Sequence, residues 1–130
     1  MRKVVFSLLS SDAELQALVG DRIVERSALD DGGPAVKPFI VLGYAGTTRL
    51  GPGAEPKDLT LSVHDERGDY SRIGEVLSLC RTILESAIHV DVDGQHLSSA
   101  YWQGDSEDLY DDALRTNFRS AGYRLIGSAL

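Results

Sequence analysis

A single cysteine, Cys80, denies this 130-residue chain any intramolecular disulfide, so its fold must rest on a hydrophobic core instead of covalent staples. Long apolar runs are also missing, and no stretch is long enough to cross a bilayer as a helix. The N-terminal MRKVVFSLLSSDAEL has two cations ahead of an apolar stretch, as a signal peptide does. That stretch is short and acids follow it, so it reads as a helix that stays with the domain. Positive charge is scarce and scattered. Thirteen Lys and Arg against 20 Asp and Glu give a net charge of -7, and no aromatics interleave with the cations. That balance excludes a surface built to neutralise nucleic-acid phosphates. A phosphate-cradling loop is absent too, because Gly46 to Gly53 lacks the Gly-Lys-Ser/Thr ending and precedes no helix.

Catalytic and metal chemistry find little support. His64-Asp65-Glu66 would offer a base with an orienting acid, yet no serine or cysteine nucleophile has a recognisable setting beside it, and the triplet reads as a solvated strand terminus. From His89 to His96, HVDVDGQH has oxygens at alternate positions and a glycine after the second aspartate, as a calcium loop does. Position 1 is a histidine, however, and the closing glutamate would be Ala100, so Asp93-Gly94 reads as a hairpin turn. Asp105, Glu107, Asp108, Asp111 and Asp112 crowd one segment, where like charges repel and a loop without preorganisation holds a divalent cation poorly. The expectation is a protein with no catalytic residue, no metal and no cofactor, not an enzyme, acting through its surfaces.

What the sequence does contain is patterning. Within Tyr70 to Ala87, Ile73, Val76, Leu77, Cys80, Ile83, Leu84 and Ala87 form one apolar stripe at helical spacing, with Asp69 or Ser71 placed to cap its start. Cys80 lies on that stripe, which makes it core filler. Residues 2 to 19 split into two helical pieces, because Ser11 and Glu14 have the spacing of a capping box. Val5, Leu8 and Leu9 are the expected buried residues of the first piece, and Leu15, Leu18 and Val19 of the second. Gly20 stops the second piece, and Arg22 to Glu25 is a short strand candidate. Phe39 to Tyr44 reads as a strand buried on both faces, and Leu59 to His64 alternates as a strand with one polar side. Gly46 to Lys57, rich in glycine and proline, reads as a mobile loop. Ile88 to Val92 and Leu97 to Trp102 form a hairpin. Asp105 to Asp112 is an exposed loop, and a final strand from Arg115 to Ile126 is expected to bulge near Ala121-Gly122, putting Phe118, Tyr123 and Leu125 on one face. Residues 1–130 thus make one α+β domain: a mixed, mostly antiparallel sheet with the amphipathic helix of about residues 70–87 and the N-terminal helices packed against it.

The run from Leu8 to Ile23, LLSSDAELQALVGDRI, then Pro38 to Leu42, the alternating Leu59 to Val63, Tyr70 at the head of the central helix and a bent last strand carrying Arg124 follow one another in an order that resembles the tail terminator (tail completion) proteins of long, flexible-tailed bacteriophages. The likeness spans nearly the whole chain, and the acidic segment 105–112 is denser than that pattern. The resemblance implies a homo-oligomer, a hexameric ring that sits on the last ring of tail tube protein, stops polymerisation and presents the face that joins a head-completion or connector protein. Genomic DNA would pass through without specific binding, no membrane would be involved, and the protein, made in the host bacterial cytoplasm, would reside in the virion at the head-proximal end of the tail. Asp105, Glu107, Asp108, Asp111 and Asp112 are then the candidate assembly or channel surface, and Thr47, Thr48, Arg49, Leu50, Glu55 and Lys57 the candidate interface loop. The alternatives are another head-tail connector protein, a stopper or adaptor, and a small cytosolic binding module or enzyme.

Overall fold

The computed structural model describes residues 2–29, 33–34, 36–45, 55–66, 68 and 70–128. Two short helices, α1 (Arg2–Ser10) and α2 (Ala13–Val19), open the chain. They separate where expected, but the cap is Asp12, whose side chain accepts from the Leu15 amide at 2.9 Å. Ser11 instead donates its hydroxyl to the Ser7 carbonyl at 2.6 Å. Asp12 wins because its backbone is already extended, as a cap residue requires, while Ser11 continues the last turn of α1. Gly20, with φ 58°, ends α2 and donates to the Gln16 carbonyl. A brief strand β1 (Ile23–Glu25) and a short 3-10 turn (Arg26–Ala28) follow.

The remaining strands are β2 (Phe39–Ala45), β3 (Glu55–Asp65), β4 (Val90–Val92), β5 (Gln95–Asp105), β6 (Leu109–Asp111) and β7 (Thr116–Ser128), with α3 (Ser71–Glu85) between β3 and β4. They join in a 7-stranded sheet ordered β1-β2-β3-β7-β5-β4, with β6 on the β5 side of β7. Only β1 and β2 run parallel. The sheet is therefore mixed and mostly antiparallel, and the fold is α+β.

Helices cover one face. Val4, Val5 and Leu9 of α1, Leu15 and Val19 of α2, and Ile73, Val76, Leu77, Cys80 and Leu84 of α3 meet Ile40, Leu42, Leu59, Leu61, Val63, Tyr123 and Leu125 from the sheet. Leu8, Leu18 and Ile83 pack at the margin, less deeply than the periodicity suggests. Tyr70 caps α3 through its backbone with no side-chain cap bond, and its hydroxyl donates to the Leu109 carbonyl at 3.0 Å, tying the helix start to β6.

The reverse face is also partly covered, and two expectations change there. A small cluster of Phe39, Val41 and Leu114, flanked by Val24 and Leu29, lies beside Ser62 and His64, which are buried while Thr60 stays exposed. His64 is 3% exposed, stacked between Phe39 and Phe118 at centroid distances of 5.1 and 4.9 Å, so it is no solvated strand end. Phe118 faces His64 across the β3–β7 ladder, on the face opposite Tyr123 and Leu125. The expected bulge at Ala121-Gly122 fails for the same reason: β3 and β7 keep one register over all 11 pairs from Glu55–Gly127 to Asp65–Asn117. The irregularities lie in β5, between Leu97 and Ser99 and between Trp102 and Gly104. At the first of these the strands come so close that a Cβ on Gly127 would collide with the His96 carbonyl oxygen, which only glycine avoids.

Candidate functional site

The ladder registers give the sheet two chemically distinct ends. At one, β2 finishes at Ala45, β3 begins at Glu55, β7 finishes at Ser128 and the β4–β5 hairpin turns at Asp93-Gly94. At the other, β3 finishes at Asp65, β7 starts at Thr116, and β5 and β6 deliver the acidic segment.

That segment is only partly a loop. Asp105 closes β5 and accepts from Trp102 Nε1 at 2.9 Å, while Leu109–Asp111 is β6, paired with Thr116, Asn117 and Phe118. Asp111 Oδ1 accepts from the Leu114 amide at 2.9 Å, and Asp108 lies 3.5 Å from Arg119 in an ion pair. Between β5 and β6, Ser106 stitches the gap: its amide donates to the Ser120 carbonyl at 2.7 Å, and its hydroxyl accepts from the Ser120 amide at 2.9 Å. Asp105, Glu107, Asp108 and Asp112 are exposed, and Asp111 is half-buried. The acids can crowd here because most of them face water, which screens their repulsion, while the backbone between them is held by its bonds to β7. Nearby, the largely buried Asp65 carboxylate receives Arg72 in a two-pronged pair, with Nε at 2.7 Å.

Of the candidate interface loop, Thr47, Thr48, Arg49 and Leu50 lie outside the described residues. Glu55 and Lys57 belong to β3, opposite Gly127 and Leu125, so the strand starts four residues earlier than its alternation suggests. Pro56 conceals that start, since proline argues against a ladder position. Further along, Asp58 and Arg124 pair at 3.3 Å across the same ladder.

Between α1, the β1–β2 pair and β4 there is a groove of about 520 Å³, lined by Phe6, Ser10, Val24, Leu42, Tyr44 and Val92 among others. Phe6 is 48% exposed there. Arg2 pairs with Glu25 and lies over the Tyr44 ring at 4.6 Å. Burial, reinforced by the Glu25 charge, pushes the Tyr44 hydroxyl well above the ordinary tyrosine range.

Two histidine environments escaped the sequence reading. His64 Nδ1 sits 2.8 Å from the Thr116 hydroxyl, and burial lowers its pKa to about 4, helped by the Arg26 charge and opposed by Asp111. His89 and His96 come together across the β4–β5 hairpin, His89 Nδ1 3.4 Å from His96 Nε2. They lie seven positions apart in a stretch that alternates as a hairpin, so their meeting follows from the turn at Asp93-Gly94, with φ 49° and 80°. Cys80 is buried, and the apolar surroundings push its thiol up to about 12, as suits inert filler.

Among solved structures, the fold is similar to that of a chain in the virion of a native gene transfer agent particle, with a TM-score of 0.77 at 17% identity, covering 99% of this chain and 95% of that one. A second solved chain matches with a TM-score of 0.60 at 15% identity, over 95% of this chain and 92% of its own. At these identities the likeness is one of fold. No curated protein matches the sequence. Residues 3–120 match the family described as tail completion protein gp17, and the chain belongs to that family of structural proteins of phage tails.

Proposed function

We propose that this chain is a tail terminator: six copies close into a ring on the last ring of tube protein, stop its growth and offer the face on which the head-completion or connector protein docks. Family membership across residues 3–120 is the observation that carries this reading. The two unlike ends of the sheet fit it, since a capping ring needs one face for the tube and another for the head. The acidic end, with Asp105, Glu107, Asp108, Asp111 and Asp112, is assigned to a ring surface that DNA passes. Six chains of net charge -7 carry roughly -42 before screening, and acids along a channel repel phosphate over about 8–10 Å in physiological salt. Genomic DNA then slides by without sticking. Glu55 and Lys57, at the opposite end, are assigned together with Thr47, Thr48, Arg49 and Leu50 to contact with a neighbouring subunit or the tube. The protein resides at the head-proximal end of the tail.

Purified chain mixed with its tube protein tests this. Native mass spectrometry and negative-stain microscopy should reveal rings seated on tube ends, and tubes grown with the chain present should be shorter than those grown without it. Tubes of unchanged length with bare ends would overturn the reading, and rings that bind the head instead would make the chain a stopper or adaptor. With Asn or Gln at the five acidic positions, rings should still cap tubes while DNA adheres to them or passes slowly. Normal DNA delivery would remove the acids from the channel.

A further inference from the structure

The β4–β5 hairpin holds its two histidines in an arrangement that tail assembly does not require. His96 Nδ1 lies 2.8 Å from Asp91 Oδ1. An ionised carboxylate only accepts, so the His96 proton belongs on Nδ1, and Nε2 of the neutral ring presents a lone pair on the far side. That lone pair looks toward His89 Nδ1 at 3.4 Å, with the Ser98 hydroxyl 3.1 Å away. Two imidazole nitrogens on one tetrahedral ion, each about 2.0–2.1 Å from it, stand about 3.3–3.4 Å apart. The hairpin already provides that spacing. His89 keeps its position through a left-handed backbone, φ 50°, and a hydrogen bond that its backbone amide donates to the Ser98 carbonyl at 3.1 Å. Such a conformation is uncommon for a residue other than glycine. The two rings lie near parallel, 27° apart with centroids 5.5 Å from each other, so the exposed His89 ring must turn to give up its contact with His96 and aim its own Nδ1 lone pair at an ion that His96 Nε2 reaches.

We propose that His89 and His96 bind a divalent transition ion that favours imidazole, Zn2+ or Ni2+, with Asp91 as the residue that orients His96. A carboxylate on one ring nitrogen and a metal on the other is the usual way a ligating histidine is aimed and made more basic. Nitrogen donors select such ions over Mg2+ and Ca2+, which take oxygen ligands. Among the described residues no third His, Cys, Asp or Glu completes the set, so water fills the remaining positions and the ion stays open to a further ligand. The bound ion links residue 89, just beyond α3, to β5 and so braces the edge of the sheet. The proposal stands independently of the role in tail capping.

Isothermal titration of the untagged chain, stripped with a chelator and probed with ZnCl2 and NiCl2, tests it. One ion should bind per chain, and His89→Gln or His96→Gln should each weaken binding by at least about tenfold, as loss of one of two ligands demands. Asp91→Asn should weaken it by about 10–100-fold, the usual effect of losing a carboxylate behind a ligating histidine. The ion should raise the melting temperature of the unaltered chain and not that of the histidine variants. His64 and Cys80 are buried and supply no competing site. Failure of the unaltered chain to bind, equal binding by the double histidine variant, or displacement by equimolar MgCl2 would each overturn the proposal. An Asp91→Asn protein that binds as tightly as the original would overturn the orienting role.

Discussion

The two faces of the sheet solve the burial problem differently. Under the helices, Leu59, Leu61 and Val63 meet Ile40, Leu42, Tyr123 and Leu125, and apart from the Tyr123 hydroxyl the contact is hydrocarbon. On the reverse face, the alternate residues of the same strand, Ser62 and His64, are as deeply buried, at 1% and 3% exposure, but they have to be hydrogen-bonded or stacked. Among the described residues, the apolar cluster there is small: Phe39, Val41 and Leu114. One face gains stability from area, which tolerates imperfect geometry, and the other from specific partners, which does not. Mutation and pH should therefore act on them in different ways.

The largest effect is expected on the helix-covered face. Truncating Leu77 to Ala removes a side chain that is 4% exposed on the core stripe of α3 and should cost on the order of 2–5 kcal/mol. Chemical denaturation would report this as a lower midpoint with an unchanged slope; an unmoved midpoint would dissolve the contrast. On the reverse face the chief sensitivity is to acid. His64 titrates near 6.5 when unfolded and near 4 when folded, so the unfolded chain takes up its proton first as pH falls. The stabilisation is whole above pH 6.5 and is lost between 6.5 and 4, on the order of 3 kcal/mol in all. Stability measured across that window for the original chain and for His64→Phe should converge or cross toward pH 4. Parallel profiles would show that His64 is not buried neutral. The smallest effect concerns the Ser62–Ser120 hydroxyl pair at 2.8 Å. Ser62→Ala should cost about 1 kcal/mol, and the double change Ser62→Ala with Ser120→Ala less than the sum of the singles, because no hydroxyl is then left without its partner. Strict additivity in that cycle would mean the pair contributes nothing.

These differences also explain what could be read in advance. The stripe from Ile73 to Leu84 and the alternation of Leu59 to Val63 are local periodicities, and both elements and their buried faces follow from them. His64 looked solvated because its neighbours along the chain, Asp65 and Glu66, are charged. Phe39, Phe118 and Thr116, which bury it, come from strands that no local period connects. Asp105 to Asp112 is largely exposed, as its charge suggests, but its strand pairing is not legible locally, because the bond from Ser106 to Ser120 and the β6 ladder depend on where β7 runs. The tail family was legible through the order of elements, and the residues with unusual surroundings, His64 and the His89–His96 pair, were not.

The unbroken register between β3 and β7 has a mechanical consequence. Eleven paired residues at about 3.3 Å each make a double-stranded strut of roughly 35 Å from the Glu55 end to the Asp65 end. A strut without a bulge has no hinge, and α3 clamps it from one side. Bending it would break ladder hydrogen bonds, so the Glu55 and Asp65 ends of the sheet are coupled as one body.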